Sequence, residues 1–138
     1  MKSETSHVSP LIASDILKLI NMFLQLKHKS LDVYVAAREL VKEIYKISTL
    51  LPKEENFNMT SQIRRAALSV KLNLAEGSSR KSGVERKRYF EIARGSVVEL
   101  DAALETAVDL NYFNQAQLET AGLLLNKCFA MLSKMIEQ

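Results

Sequence analysis

Residues 82–107, SGVERKRYFEIARGSVVELDAALETA, carry the clearest helical pattern of the chain. The apolar residues of this stretch recur at alternating steps of three and four. They are Phe90, Ala93, Val97, Leu100, Leu104 and Ala107. Such a heptad stripe lies on one face of a long helix and suits packing at about 20° to neighbouring helices. Ser82 and Glu85 precede it as a capping box, in which each side chain bonds the other residue's backbone N–H. The stretch predicts one helix of a bundle.

The chain upstream carries a second helix of this kind, predicted over residues 30–51 with Ser30 as its N-cap. Its stripe again alternates steps of four and three. It consists of Val33, Ala37, Leu40, Ile44, Ile47 and Leu51. Pro52 ends the helix, because the residue before a proline is pushed out of the helical region. Residues 52–58 are expected to form a connector with one short helical turn.

A third helix is predicted between this connector and the opening stretch. Thr60 or Ser61 caps it, and its core stripe is Ile63, Ala67, Val70 and Leu74. Gly77 is expected to end the helix in the left-handed conformation, which a glycine adopts without steric cost. The loop that follows, residues 77–82, is short and basic.

Residues 111–114 are expected to end the helix that contains residues 82–107. A fourth helix is predicted after them. Asn114 and Gln117 form its capping box. Its inward residues are predicted to be Leu118, Ala121, Leu125, Phe129, Leu132 and Ile136. Short connections make consecutive helices antiparallel. The fold class is therefore all-α, an antiparallel up-down four-helix bundle over residues 30–138.

Residues 1–29 are predicted to be an N-terminal extension with an additional amphipathic helix over residues 11–27. Its apolar stripe is Ile12, Ile16, Leu19, Phe23 and Leu26. Because four helices already close a bundle, this stripe must be buried on the outside of the bundle, in another subunit or on a partner protein.

Composition excludes several function classes. With a single cysteine, Cys128, and two histidines, the chain has no internal disulfide and no cysteine-built or His-cluster metal site, so it is expected to need no metal and no cofactor. No segment approaches the roughly 20 apolar residues that span a bilayer, and residues 1–10 lack the features of a secretory signal. We find no nucleophile with a base, no carboxylate pair and no phosphate loop. The sequence predicts a cytoplasmic protein that is not an enzyme and has no membrane partner.

Charge is unevenly distributed along the chain. Residues 60–94 carry 9 basic and 3 acidic side chains, whereas residues 95–138 carry 2 basic and 6 acidic ones. The basic segment predicts an anionic partner such as RNA or DNA, although any solvated helix face also carries charges. The residues expected to contact phosphates are Arg64, Lys71, Arg80, Lys81, Arg86, Lys87, Arg88 and Arg94. Tyr89 is expected at an interface or on the surface, and Phe90 in the core rather than stacked on a base.

A polar stripe runs beside the core stripe of the predicted third helix. Its members are Gln62, Arg65, Ser69, Asn73 and Glu76. One interpretation is a subunit or helix contact in which Arg65, Asn73 and Glu76 satisfy one another. The other is a solvated face, and spacing alone does not distinguish them.

Several of these segments resemble the bacterial 23S rRNA intervening-sequence protein family. The resembling segments are LDVY at 31–34, AREL at 37–40, PKEE at 52–55, TSQIRRAA at 60–67, NLAEG at 73–77, GS at 95–96, EL at 99–100 and LETAVDL at 104–110. The resemblance covers about residues 30–137. The chain departs from the family pattern at Lys71-Leu72, where a proline is usual, and at Asn58-Met59, which replaces a common Gly-Leu.

The resemblance implies a four-helix bundle that assembles into a barrel-like homopentamer. It also relates the chain to the accessory variability proteins of diversity-generating retroelements, in which a basic pentamer binds nucleic acid and a reverse transcriptase. The function it implies is a non-enzymatic oligomeric bundle that binds RNA or DNA through a basic surface, as an accessory factor to a reverse transcriptase. The alternative is a structural or protein-interaction assembly that does not bind nucleic acid.

Overall fold

A computed structural model describes residues 12–138, apart from the side chains at 20 and 21, and contains five α-helices within this range. They are α1 (Ala13–Met22), α2 (Asp32–Ser48), α3 (Met59–Ser79), α4 (Gly83–Asp109) and α5 (Glu119–Glu137). No strand occurs among the described residues, so the all-helical class is confirmed. Residues 1–11, which include the start of the predicted extension and of its helix, lie outside the described residues.

Helices α2 to α5 enclose one hydrophobic core, and we call them the helical body. Both α2 and α4 pack against α3 and α5. Because short connections join packed neighbours, consecutive helices run in opposite directions. The stripes predicted for α2, α3 and α4 are buried throughout. The 3.6-residue period of the sequence thus defines these three inward faces.

The predicted inward face of α5 is wrong at one position. Phe129 is 43% exposed, whereas the neighbouring Cys128 is fully buried. Ala121, Leu125, Leu132 and Ile136 are buried as predicted. Both Cys128 and Phe129 lie within one step of the stripe's centre, and the periodicity alone does not choose between them. The small thiol occupies the core, and the larger ring lies at its edge.

The predicted cap of α2 is wrong. The Ser30 hydroxyl donates a hydrogen bond to the Lys27 carbonyl at 3.0 Å, inside a 3₁₀ turn at Lys27–Ser30, and Leu31 precedes the helix without a side-chain cap. Asp32 supplies a negative charge in the first turn of α2, where the helix dipole favours it. The helix ends at Ser48, earlier than predicted, yet Leu51 reaches the core from the following turn.

The start of α3 also differs from the prediction, since Thr60 and Ser61 lie inside the helix. The backbone N–H of Met59 donates to Glu55 Oε1 at 3.3 Å, so the carboxylate lies at the positive end of α3. The other oxygen of Glu55 accepts a 2.8 Å hydrogen bond from the Tyr112 hydroxyl. This bond raises the pKa of Tyr112. Glu55 therefore joins the predicted short turn, Lys53–Glu55, to the α4–α5 connection.

Gly77 does not adopt the predicted left-handed conformation. It lies within α3, and no glycine of the described chain has a positive φ. Its role is steric, because a Cβ at this position would lie 2.8 Å from Cε1 of Phe90 and 2.9 Å from Cβ of Tyr89. The missing side chain lets α3 and α4 approach closely at this point.

The turns around α4 match their predictions in part. Ser82 Oγ accepts the Glu85 backbone N–H at 3.3 Å, which is one half of the predicted capping box, and α4 begins at the next residue, Gly83. At the other end Asn111 takes the left-handed conformation with a φ of 63°. The predicted box of Asn114 and Gln117 is reciprocal, with both hydrogen bonds at 2.9 Å, and it opens a 3₁₀ turn that leads into α5.

Helix α1 is shorter than the predicted helix, and Phe23 and Leu26 lie in the extended segment after it. Ile12, which precedes α1, and Ile16 and Leu19 within it are exposed. A 3₁₀ turn connects this segment to α2, and its His28 is buried edge-on against Tyr34 at 4.8 Å between ring centroids. Burial lowers the pKa of His28.

Candidate nucleic-acid interface

The predicted basic surface is centred on the tight turn between α3 and α4. The connection at residues 80–82 contributes Arg80 and Lys81, and the first turns of α4 contribute Arg86, Lys87 and Arg88. Because Ser82 caps α4 directly after the basic pair, both groups of cations lie at one end of the helical body. The structure therefore brings together most of the cations predicted for this surface.

Arg80 is held within the turn by its neighbours. Its Nη2 atom lies 2.6 Å from Glu76 Oε2 and donates to the Tyr89 hydroxyl at 3.2 Å, while its guanidinium carbon lies 5.1 Å from the centroid of the Tyr89 ring. Tyr89 and then Glu76 raise the pKa of Arg80. Most of the charge of this arginine is thus matched inside the subunit, and the ring of Tyr89 is covered by it.

Arg86 stabilises the end of α3. Its Nη1 atom donates to the carbonyls of Ser78 at 2.9 Å and Arg80 at 3.2 Å, and its guanidinium lies 5.7 Å from the centroid of the Phe90 ring. The last carbonyls of a helix lack intrahelical donors and carry partial negative charge. Arg86 therefore acts as a C-terminal cap for α3, which its spacing in the sequence did not reveal.

Two more of the predicted cations tie helices together along the body. Arg64 Nε donates to Ser48 Oγ at 2.7 Å and its guanidinium lies 5.0 Å from the Tyr45 ring, which joins α3 to α2. Arg94 Nη1 donates to Ser133 Oγ at 3.1 Å, which joins α4 to α5. Half of the predicted phosphate contacts are thus engaged in structural interactions.

The other four cations predicted to contact phosphates have no side-chain hydrogen-bond or ion-pair partner in the described structure. They are Lys71, Lys81, Lys87 and Arg88. Lys81, Lys87 and Arg88 are exposed at the turn, and we call these three residues the basic corner. Lys71 is half-buried and lies about two turns before the end of α3, so it is separate from the corner.

Sequence reasoning missed Lys27, which is exposed and lacks a side-chain partner. It lies outside the basic segment 60–94 and so was not grouped with it. Because α2 and α3 run antiparallel, the start of α2 lies at the same end of the body as the end of α3. The antiparallel pairing of α2 and α3 could therefore have placed Lys27 near this surface, whereas a count of charges along the sequence could not.

The predicted polar stripe of α3 divides into two parts. Ser69 Oγ and Ser96 Oγ lie 2.8 Å apart, and the amide of Asn73 donates to the carbonyl and hydroxyl of Ser69 at 2.9 and 3.0 Å. This part is a polar contact of α3 with α4. The predicted mutual pairing of Arg65, Asn73 and Glu76 is not formed, since Glu76 pairs with Arg80.

The other part of the stripe is open to solvent. Gln62 and Arg65 are exposed and have no side-chain partner within the described residues. With Leu72 and Glu99 they line a shallow depression between α3 and α4.

Phe90 is 4% exposed, so its ring is in the core as predicted and does not offer a stacking surface.

Burial raises the pKa of the Cys128 thiol to about 11, which leaves little thiolate at neutral pH. Residues 12–138 contain no group of three or more His, Cys, Asp and Glu side chains placed to hold a metal ion. None of the described helices is both long enough and apolar enough to cross a membrane.

Comparison with known proteins identifies the family. The model of the 23S rRNA-intervening sequence protein family matches residues 29–134. This chain belongs to that family. The family match begins close to the start of α2 and ends within α5, so α1 lies outside it.

A solved structure supports the fold of this intervening-sequence protein. It is the crystal structure of a protein with unknown function from the S23 ribosomal protein family of Bacteroides thetaiotaomicron. The two chains are 21% identical and superpose with a TM-score of 0.71, and the match covers 77% of this chain and 99% of the other. The likeness concerns the fold alone. No curated protein sequence gives a significant match.

Proposed function

We propose that this intervening-sequence protein is a non-enzymatic homo-oligomer of up-down four-helix bundles that binds RNA or DNA through the basic corner. The proposal is supported by the difference between free and hydrogen-bonded cations at the α3–α4 turn. Lys81, Lys87 and Arg88 are exposed and unpartnered, whereas Arg80 and Arg86 beside them are fixed by hydrogen bonds. Fixed neighbours keep the turn in one conformation and leave the free cations available to phosphates.

Recognition at this corner is of the phosphate backbone. Lys and Arg contacts to phosphates release counterions and carry no base information. The start of α4 adds the positive end of a helix dipole at the same place, and Lys27 adds a further charge at this end of the body. Base stacking has no part in the proposal, because Phe90 is buried and Arg80 covers Tyr89.

Fluorescence anisotropy with a labelled RNA hairpin and a DNA duplex, measured over a range of salt concentrations, tests the proposal. The variant Lys81→Ala/Lys87→Ala/Arg88→Ala is expected to weaken binding at low salt by at least about tenfold. It is also expected to reduce the slope of log affinity against log salt by about 2 to 3, because each lost phosphate contact removes about 0.7 to 0.9.

A matched control removes the same charge from other surfaces. Lys46, Lys53 and Lys127 are exposed, have no side-chain hydrogen bond or ion pair in the described structure, and lie away from the α3–α4 turn. Lys46→Ala/Lys53→Ala/Lys127→Ala should retain affinity within about threefold of the unchanged protein. Equal losses in the two triple variants would show that net charge, not the corner, determines binding. No affinity of the unchanged protein even at low salt would refute the proposal.

The family resemblance extends the proposal to a pentamer and to a role as accessory factor to a reverse transcriptase, and the composition of the chain extends it to a cytoplasmic location. A ring of subunits would present several basic corners to one nucleic acid, and multivalent contact raises affinity without any new interaction. Light scattering on the purified chain tests the stoichiometry. Co-purification with a reverse transcriptase encoded beside the gene tests the accessory role.

A structural or protein-interaction assembly without nucleic-acid binding is the second candidate, and the exposed apolar face of α1 favours it. Deletion of residues 1–26, which keeps Lys27, tests this candidate by light scattering and by pull-down of a partner. Loss of assembly or of partner binding by the shortened chain, in a protein without affinity for RNA or DNA, supports the interaction role of α1. Unchanged mass and unchanged partner binding would contradict it.

A further inference from the structure

Helix α1 lacks the packing that a helix of its length requires. It has 10 residues, and isolated helices shorter than about 12 to 15 residues are marginal in water. Ile16 is 45% exposed, and Ile12 and Leu19 on the same stripe are also exposed. The apolar stripe of α1 must therefore pack against another surface for the helix to be stable.

The helical body offers an apolar depression of matching character between α4 and α5. Two adjoining cavities of about 290 and 190 Å³ share Asp101 and Leu125 in their walls and together form what we call the α4/α5 groove. Its lining includes Val98, Asp101, Glu105, Gly122, Asn126 and Phe129. Val98 and Phe129 are exposed, so the groove presents apolar side chains to whatever enters it.

The absence of a side chain at Gly122, in this groove, is not required by any contact within the subunit. A Cβ placed on it meets nothing within 4 Å, and its φ is not positive. A glycine inside a helix costs about 1 kcal/mol relative to alanine. The glycine leaves the backbone of α5 open to the close approach of another helix at the base of the groove.

The charges of the two surfaces are complementary. Asp101 and Glu105 are exposed at the rim of the groove and have no ion-pair partner in the described structure. Residues 12–30 carry Lys18, Lys27 and Lys29 against Asp15 alone, and Lys18 is exposed on the polar side of α1. Opposite charges at the edge of an apolar contact favour one docking orientation.

We propose that α1 of one chain packs lengthwise in the α4/α5 groove of a second copy of this chain. Ile16 and Leu19 contact Val98 and Phe129, and the α1 backbone passes over Gly122. Docking between copies buries a face that a single copy leaves in water, and if every copy both donates and receives α1 the contact propagates around an assembly.

The connection between α1 and α2 favours a second copy over the same chain. The buried contact of His28 with Tyr34 fixes the turn before α2, and Lys29 Nζ donates to the Leu24 carbonyl at 2.5 Å. These contacts hold the segment next to α2, which packs against α3 and α5, whereas the groove also needs α4. In this conformation α1 leaves its stripe exposed and accessible to another molecule.

Disulfide trapping between two distinguishable chains tests the docking. One full-length chain carries Ile16→Cys and the other Asn126→Cys, and the two are mixed and exposed to a mild oxidant. The native Cys128 does not interfere, because it is fully buried and its thiol pKa is about 11. We expect a disulfide that joins the two different chains. Ile16→Cys mixed with Lys42→Cys, an exposed position on α2, should give none.

A groove variant makes the test independent of folding. Gly122→Leu fills the groove and raises helix propensity, so far-UV circular dichroism should retain the helix content. It should lower the yield of the mixed disulfide by about tenfold. Ser14→Asp, on the polar side of α1, should leave the yield unchanged, whereas Leu19→Asp should abolish it.

Each other outcome overturns the proposal. No mixed disulfide contradicts docking in the groove, and an equal yield with Gly122→Leu contradicts the assigned path of α1. A disulfide that forms only within a doubly substituted chain, Ile16→Cys/Asn126→Cys, assigns α1 to its own groove. The proposal rests on the homo-oligomer part of the proposed function. Light scattering separates the two, since oligomers without the disulfide contradict only the docking of α1, whereas a monomer contradicts both.

Discussion

Helix α4 has a neighbour on each side, and the two contacts differ in how closely they are packed. Toward α3, Gly77 lies directly against Phe90 and Tyr89, so the two helices form a tight seam. Toward α5, Gly122 faces open space, and Phe129 lies exposed in a groove. The same residue type thus permits close packing within the subunit on one side and leaves a space on the other.

The α3–α4 contact contributes stability to the subunit, whereas the α4–α5 contact leaves apolar surface available for binding. The seam combines a buried ring, a close backbone approach and an arginine cap, all of which require one relative position of α3 and α4. The groove keeps apolar side chains at the surface, which lowers the stability of the isolated subunit and favours binding. Substitutions at matched positions on the two sides of α4 can measure this division.

The largest expected difference is between the two phenylalanines. Phe90→Ala removes a ring that is 4% exposed and should lower the free energy of unfolding by about 3 to 5 kcal/mol. Phe129→Ala removes a ring that is 43% exposed and should cost about 1 kcal/mol. Urea denaturation at one fixed protein concentration measures both, since assembly adds to apparent stability. Equal costs would contradict the distinction between seam and groove.

The buried faces of α2, α3 and α4 could be predicted because a helical period assigns them without ambiguity. The period failed at Cys128 and Phe129, where two adjacent residues compete for one inward position and side-chain volume decides. The prediction of a left-handed conformation at Gly77 was wrong for a related reason. The place of this glycine near the end of α3 indicated a left-handed cap, but the ring of Phe90, distant in sequence, sets the requirement.

A smaller effect is expected from the thiol beneath the groove. Burial raises the Cys128 pKa from 9.0 to about 11. In the unfolded chain the thiol ionises near pH 9, so the unfolded state releases its proton first as pH rises. The protonated, buried thiol therefore contributes its full stabilisation below pH 9. This stabilisation is lost progressively between pH 9 and about pH 11, which lowers the free energy of unfolding by about 2 to 3 kcal/mol.

Cys128→Ala is the control for this pH dependence. Other groups also titrate above pH 9, so the quantity to compare is the difference between the two proteins at each pH. That difference should shrink as pH rises, because only the unchanged protein loses the thiol's contribution. A constant difference between pH 8 and 11 would mean that the thiol is in contact with water, as an open groove extending to the core would require.

The glycines are expected to respond in opposite directions. Gly77→Ala places a methyl group against Phe90 and Tyr89 and should destabilise the protein by about 1 to 3 kcal/mol. Gly122→Ala adds a methyl group in open space and should stabilise the isolated helix by about 0.5 to 1 kcal/mol. Thermal unfolding monitored by circular dichroism measures both, at a protein concentration low enough for light scattering to show a monomer, because the proposed docking of α1 would fill the groove. A loss of stability in the monomeric Gly122→Ala variant would contradict the open space at this position.

The basic residues show most clearly what charge patterning omits. The sequence located the positive segment, but it treated Arg64, Arg80, Arg86 and Arg94 as equivalent to Lys81, Lys87 and Arg88. The arginines point to carbonyls, hydroxyls, a carboxylate and aromatic rings that lie on other turns and helices. A planar guanidinium with five donors can make such contacts, whereas charge counting treats every cation alike.

The smallest expected effects compare two arginines at the two sides of α4. Arg86 and Arg94 lie at similar distances, 5.7 and 5.8 Å, from the rings of Phe90 and Phe129. Arg86 also donates to two backbone carbonyls at the end of α3, whereas Arg94 donates to one hydroxyl, that of Ser133. Methionine preserves much of the apolar stem and removes the donors, so the substitution isolates the hydrogen bonds.

Arg86→Met should therefore lower the free energy of unfolding by about 1 to 2 kcal/mol, because carbonyls at a helix end lose a charged donor. Arg94→Met should cost about 0.5 kcal/mol, since the Ser133 hydroxyl can turn to water. Urea denaturation of both variants at the same protein concentration gives the comparison. If Arg94→Met cost as much as Arg86→Met, the α4–α5 side would be as firmly held as the seam, and the groove would not be the looser of the two contacts.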